Sequence, residues 1–289
     1  MKKFSRLNSG VLFLYFLSVI GITMFTQNVY LRAISVGISI INACIFDVIT
    51  DYFKDFRFYL AVFMVITVSN SLFVHRGKTV LFFVKNTPIT LEAMTYGANF
   101  SLSMIAVLAW FRIFSTLMTA EKIVEIYGKR FATLGLIAAL TLRYVPEFKR
   151  RFSEIADAHR SAGLICEDTW FEKVKSYLKI FMSLAEFSFE KSANTAVSMN
   201  ARGYLLHKRT QISHRKFQFN ELLVLILTLV ITVCVIVFSL THKLSTLFYP
   251  TFKTDFSMLP TILFTILTLL PTSFELEDRL KWHLSNAKN

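Results

Sequence analysis

Apolar residues along this chain gather into long runs. Six of them approach the ~20 residues that a helix needs to cross a hydrocarbon core: 11–25, 31–49, 58–74, 97–119, 222–240 and 258–270. The first is short, and the last is shorter still and bracketed by Pro260 and Pro271. Asn42 and Asp47 interrupt the second run, and Arg112 sits inside the fourth. The pattern predicts an all-α, polytopic membrane helical bundle of about six spans. The first run has basic flanks and no small-residue cleavage site behind it, so it reads as a retained first helix.

Between the fourth and fifth runs the character changes. Residues 121–216 hold 17 Lys and Arg against 10 Asp and Glu. Side chains charged at that density do not face lipid, so this stretch projects into water. Its excess of positive charge places it on the cytoplasmic side. Counting crossings then puts Lys2, Lys3 and Arg6, the segment 51–57 and the tail from Glu275 on that same side. The segment 75–96 falls outside, with Arg76, Lys78 and Lys85 as a mild exception. The chain is thus divided into N-terminal transmembrane helices (1–120), a cytoplasmic domain (121–216), and C-terminal transmembrane helices with a short tail (217–289).

The cytoplasmic stretch reads as helical. Residues 131–142 are apolar but too short to span. Pro146 suits a first turn or a kink, a charged helix covers 146–161, and Gly163 follows as a stop. A second helix starts after Asp168 or Thr169 as cap. Val174, Leu178, Phe181, Ala185 and Phe189 recur along it at roughly helical spacing, and it runs to Ala201 before Gly203. Each helix ends beside an arginine with small neighbours: His159-Arg160-Ser161 and Ala201-Arg202-Gly203. Arginine is a planar, permanently charged fork of donors suited to a carboxylate partner.

Composition agrees with lipid as solvent: 54% of residues are hydrophobic, 18% are charged, and 30 are Phe. The net charge of +13 follows the positive-inside rule and does not imply nucleic acid. Three cysteines, Cys44, Cys166 and Cys234, show no C-x-x-C spacing. His159 and Cys166 have no further ligands nearby, and Gly77-Lys78-Thr79 lacks the upstream glycine of a phosphate loop. Glu92 and Glu121 have no partner for a carboxylate dyad. No catalytic residue, cofactor or metal site is expected. Arg112, at a depth lipid penalises, either pairs with Asp47 inside the bundle or snorkels to the interface.

Five stretches carry a family resemblance: NSLFVHRGKTVLFF (70–83), TPITLEAMTYG (87–97), WFRIFSTLMT (110–119), LTLRYVPEFKRRFSEIADAHRSAG (140–163) and SMNARGYLLHKRT (198–210). With them the chain resembles the transmembrane T component (EcfT/CbiQ-like) of energy-coupling factor ABC transporters, including the cobalt-transport permeases. That family carries two Ala-Arg-Ser/Gly signatures at the tips of cytoplasmic coupling helices. The second is intact here, and the first has His159 where Ala is usual. The resemblance implies a non-catalytic scaffold in a prokaryotic cell membrane, with both termini cytoplasmic. Two ABC-type ATPases (A and A′ type) would dock on the tips, one at His159, Arg160 and Ser161, the other at Ala201, Arg202 and Gly203. A small membrane S subunit would bind the vitamin or transition-metal ion to be imported. The competing reading is an autonomous secondary transporter, a class that shows paired repeats and broken helices. Neither stands out in this sequence.

Overall fold

A computed structural model describes residues 4, 7–46, 48–74, 77–84, 87–164, 169–204, 206, 219–241, 246–247, 253–254 and 257–286. The chain forms two compact units: Met1–Thr119 with Lys216–Asn289, and Ala120–Arg215.

The first unit is the membrane bundle. Its helices are α1 (Ser9–Phe25), α2 (Val29–Ile45), α3 (Ile49–Lys54), α4 (Phe56–Phe73) and α5 (Leu91–Leu117), then α9 (Phe219–Leu240) and α10 (Met258–Asn286). Four of these, α4, α5, α9 and α10, are long and apolar enough to cross a membrane, whereas α1 and α2 are apolar but 17 residues each. Large apolar side chains such as Leu17, Phe25, Val65 and Val233 are exposed. In water that would be an aggregation surface, and in a bilayer it is the solvated one. The chain is a multi-pass, all-α membrane protein. Two short antiparallel hairpins decorate it, which the apolar runs did not announce: β1 (Val80–Val84) with β2 (Thr87–Thr90), and β3 (Thr246–Leu247) with β4 (Lys253–Thr254).

Helix starts in this unit follow local chemistry. The side chains of Asn8, Asn28 and Thr90 accept from the first-turn amides of α1, α2 and α5. The amide of Asn8 in turn donates to the fully buried Glu221 of α9 at 3.0 Å. The core gathers around Trp110, Tyr15, Phe16 and Phe264, all at most 1% exposed. The Trp110 indole N–H finds the Ser35 hydroxyl at 2.9 Å, as a buried indole requires. Ahead of α5, the Glu92 carboxylate accepts from the amides of Lys78 and Thr79 and from the Thr79 hydroxyl at 2.7 Å. Within Gly77-Lys78-Thr79, the Lys78 and Thr79 amides are therefore engaged with the chain's own carboxylate.

The last apolar run does not end at Pro271, as expected, but continues as a 29-residue helix through it. Proline lacks an N–H, so the carbonyl of Leu267, one turn back, loses its helical donor. The Tyr15 hydroxyl donates to that carbonyl at 3.0 Å. Asn42 Nδ2 donates to the neighbouring Thr268 carbonyl at 3.2 Å, and to Ile38 O of its own helix at 3.1 Å. Polar side chains from α1 and α2 thus repair the break, which is how an interior proline persists where no water can substitute.

The second unit comprises α6 (Ala120–Arg130), α7 (Ala132–Ser161) and α8 (Trp170–Ala201). The expected division into an apolar segment 131–142 and a helix from Pro146 is corrected: α7 is one 30-residue helix passing through Pro146. Helix α6 folds back on α7 with Gly128 facing Gly135. A Cβ added at Gly135 would lie 2.6 Å from Gly128 Cα, so the approach admits no side chain there.

Candidate functional site: two arginine-bearing helix ends

Helices α7 and α8 run antiparallel and are braced along their contact. The Lys191 ammonium donates to Glu147 Oε1 at 2.7 Å. The hydroxyls of Tyr144 and Thr195 share a hydrogen bond of 2.7 Å. The Arg151 guanidinium lies 4.9 Å above the Phe187 ring. Hydrogen bonding from Lys191, with its charge, holds the Glu147 carboxyl below the usual carboxylate range. Because the three contacts pair rising numbers on α7 with falling numbers on α8, the C-terminal ends of the two helices point to opposite ends of the pair.

Both ends close with the same cap. After α7, Ala162 keeps near-helical angles and Gly163 turns to φ +68°. Gly163 N then donates to Arg160 O at 3.1 Å, and Leu164 N to His159 O at 3.0 Å. After α8, Arg202 keeps near-helical angles and Gly203 turns to φ +80°. Gly203 N donates to Asn200 O and Tyr204 N to Met199 O, each at 3.0 Å. This pair of bonds with a left-handed residue between helix and exit is the Schellman motif, and glycine holds it without steric cost.

The caps match, but the arginines do not occupy the same place in them. Arg202 is the cap residue itself, whereas Arg160 lies two residues before its cap. Two residues of helix amount to roughly 200° of rotation and ~3 Å of rise. The two guanidiniums therefore leave opposite sides of similar ends. Arg160 is exposed and sits 3.5 Å from Asp157 on its own helix. Arg202 is exposed and makes no ion pair among the described residues. Ser161 and Ala201, the last helical residues, are exposed, and His159 is half-buried with its Nδ1 enclosed and without a hydrogen-bond partner. With Gly163, the six residues 159–161 and 201–203 form two polar, small-residue surfaces, each presenting a permanent cation that can pair with a carboxylate. They do not converge on one cavity, and the arrangement suits docking.

Of the other expected pair, Asp47 lies outside the described residues. Arg112 lies 3.7 Å from Asp55, with both side chains about two-fifths exposed. Asp55 was not singled out from the sequence. The available signal was its place in the polar 51–57 stretch that joins two apolar runs. Asp168 and Cys166 also lie outside the described residues, and Thr169 occupies the cap position of α8 without a side-chain hydrogen bond to it.

Comparison with known proteins gives a family. The family described as CbiQ, cobalt transport protein, matches residues 2–212, which include all of α6, α7 and α8. The energy-coupling factor transporter transmembrane protein EcfT of Staphylococcus aureus is 23% identical over 193 residues, covering 63% of this chain and 71% of that protein. The protein of the same name from Lactococcus lactis is 29% identical over 108 residues, covering 37% of this chain and 41% of its own length. That from Streptococcus equi is 31% identical over 100 residues, covering 34% and 37% respectively.

Proposed function

The chain belongs to the CbiQ cobalt-transport family, and from that premise we propose that it is the membrane-embedded T component of an energy-coupling factor importer. In this reading the second unit is cytoplasmic. Each arginine-bearing tip docks on one of two ABC-type ATPases, the Arg160 tip on one and the Arg202 tip on the other. The braced α7–α8 pair transmits ATP-driven motion to a small substrate-binding S subunit, which imports a vitamin or a transition-metal ion. ATP hydrolysis belongs to the ATPases, and this subunit supplies scaffold and coupling.

The observation that carries the reading is the pair of Schellman-capped helix ends, each presenting an exposed arginine, at opposite ends of one braced antiparallel pair. Two separate docking points on a rigid element are what a two-ATPase engine requires of its transmission. Each arginine would pair with a carboxylate of its ATPase. The test is affinity purification of the full chain from native membranes, as wild type and as Arg160→Ala with Arg202→Ala. Two ATPase chains should accompany the wild type and be lost from the double variant. A wild type that brings down no ATPase would sink the reading and leave autonomous transport, measured as uptake in liposomes, as the successor.

A further inference from the structure

We propose that the β1–β2 hairpin is an interfacial anchor, a strand pair laid in the phospholipid headgroup layer where α4 ends and α5 begins. Its inner strand is already engaged. In β2, Ile89 and Thr90 are buried, and the strand packs on both α4 and α5. The base of the hairpin is fixed as well. The Lys78 and Thr79 amides donate to the Glu92 carboxylate. Gly77 turns there at φ +149°, so close that a Cβ would lie 2.5 Å from Glu92 Oε2. The hairpin is thus held in a set position against the first turn of α5.

The outer strand is uncovered. In β1, Val80 and Leu81 are both close to half exposed, and Phe83 is 70% exposed. Two requirements then set the depth. Apolar side chains left this open gain by leaving water. Yet β1 belongs to a two-stranded sheet, and its outer edge has no strand partner among the described residues. Unpaired backbone N–H and C=O groups are excluded from hydrocarbon. The interface meets both demands, with acyl chains for the side chains and hydrated headgroups for the edge. A partner strand added to β1 would also close that edge. Continuity favours lipid: Leu72 and Phe73 end α4 exposed, and Leu91 and Met94 open α5 exposed. The lipid-facing surface therefore reaches the hairpin along the chain from both directions. No residue of the hairpin belongs to the helix tips, so the anchor and the coupling role succeed or fail separately.

The experiment puts a nitroxide on Leu81→Cys or Phe83→Cys in the full chain, with Cys44, Cys166 and Cys234 changed to Ser. The protein, with whatever subunits accompany it, is reconstituted into phosphatidylcholine vesicles. Depth is read from collisions of the label with oxygen, which concentrates in hydrocarbon, and with a water-soluble nickel chelate. A label on Val65→Cys, at an exposed position in the middle of α4, is the deep reference. Labels at 81 and 83 should lie within ~10 Å of the phosphate plane, shallower than the label at 65. Adding Leu81→Asp should move the label at 83 toward water and raise its nickel collisions, while the melting temperature in detergent stays at the wild-type value. Labels that nickel reaches as freely as in bulk water, or a label at 83 that Leu81→Asp does not move, would overturn the proposal. Labels shielded from both reagents would overturn it too, in favour of a protein strand paired with β1.

Discussion

The two units treat their exceptional polar groups in opposite ways. In the membrane bundle, the carbonyl orphaned by Pro271 is met by the Tyr15 hydroxyl, and the next one by Asn42. The Trp110 indole is met by Ser35, and the buried Glu221 by the Asn8 amide. In the second unit, the hydrogen bonds between α7 and α8 side chains lie along the middle of their contact, at Glu147–Lys191 and Tyr144–Thr195. At its ends, backbone groups are closed by caps while the arginines stay exposed. Where lipid is the solvent, an unmatched group costs free energy at once. Where water is the solvent, a cation can wait for a partner. Polar residues in the bundle therefore serve stability, and those at the tips stay exposed, as the proposed docking requires.

That contrast breaks if tip variants behave as folding variants, so the largest effect should come from Arg202→Ala. Loss of one member of a docked charge pair costs ~2–5 kcal/mol, read as lost ATPase capture, while the melting temperature in detergent holds. Relocation sharpens the same point. Arg202→Ala combined with Asn200→Arg keeps the charge but turns it through roughly 200°, and capture should remain lost. In the bundle the reverse is expected. Tyr15→Phe leaves the Leu267 carbonyl unmatched and should lower stability by ~1–2 kcal/mol, with no effect on capture at the tips. Pro271→Ala restores an amide donor to that carbonyl, and the Tyr15→Phe penalty should shrink in that background.

Acid should dissect the brace. The Glu147 carboxyl is held below its ordinary range by Lys191, so it binds its proton more weakly folded than unfolded. The stability it contributes is present above the unfolded carboxylate range, near pH 4.3 in model peptides, and fades as pH falls through the lowered folded value. The thermal stability of wild type over Glu147→Gln should be constant at neutral pH and close up on acidification. The smallest effect belongs to Asp157→Asn, which releases Arg160 from an exposed contact. Stability should stay within ~0.5 kcal/mol, and capture at the first tip should be unchanged or slightly stronger.

Much of this was legible in the amino-acid order, because it rests on local rules. The apolar runs located the helices of the bundle, and Gly163 and Gly203 marked the ends of α7 and α8. The arginines beside those glycines were visible as short motifs. The continuity of α7 and α10 through Pro146 and Pro271 was not. Proline is a local stop signal, and what overrides it at Pro271 is a hydroxyl 256 residues away in sequence, on Tyr15. The pairing of Arg112 with Asp55 depends in the same way on how α4 and α5 meet. The different places of Arg160 and Arg202 in their caps escaped notice because a motif shows neighbours along the chain, not the phase of a helix at its last turn.

The brace at Glu147–Lys191 has a mechanical consequence. Thirteen residues of α7 separate it from Arg160 and eleven of α8 separate it from Arg202, which are helical arms of ~20 Å and ~17 Å. Because the brace repeats at Tyr144–Thr195 and Arg151–Phe187, the two rods turn as one, like a seesaw with nearly equal arms, and a tilt imposed at one tip reappears at the other with almost the same amplitude.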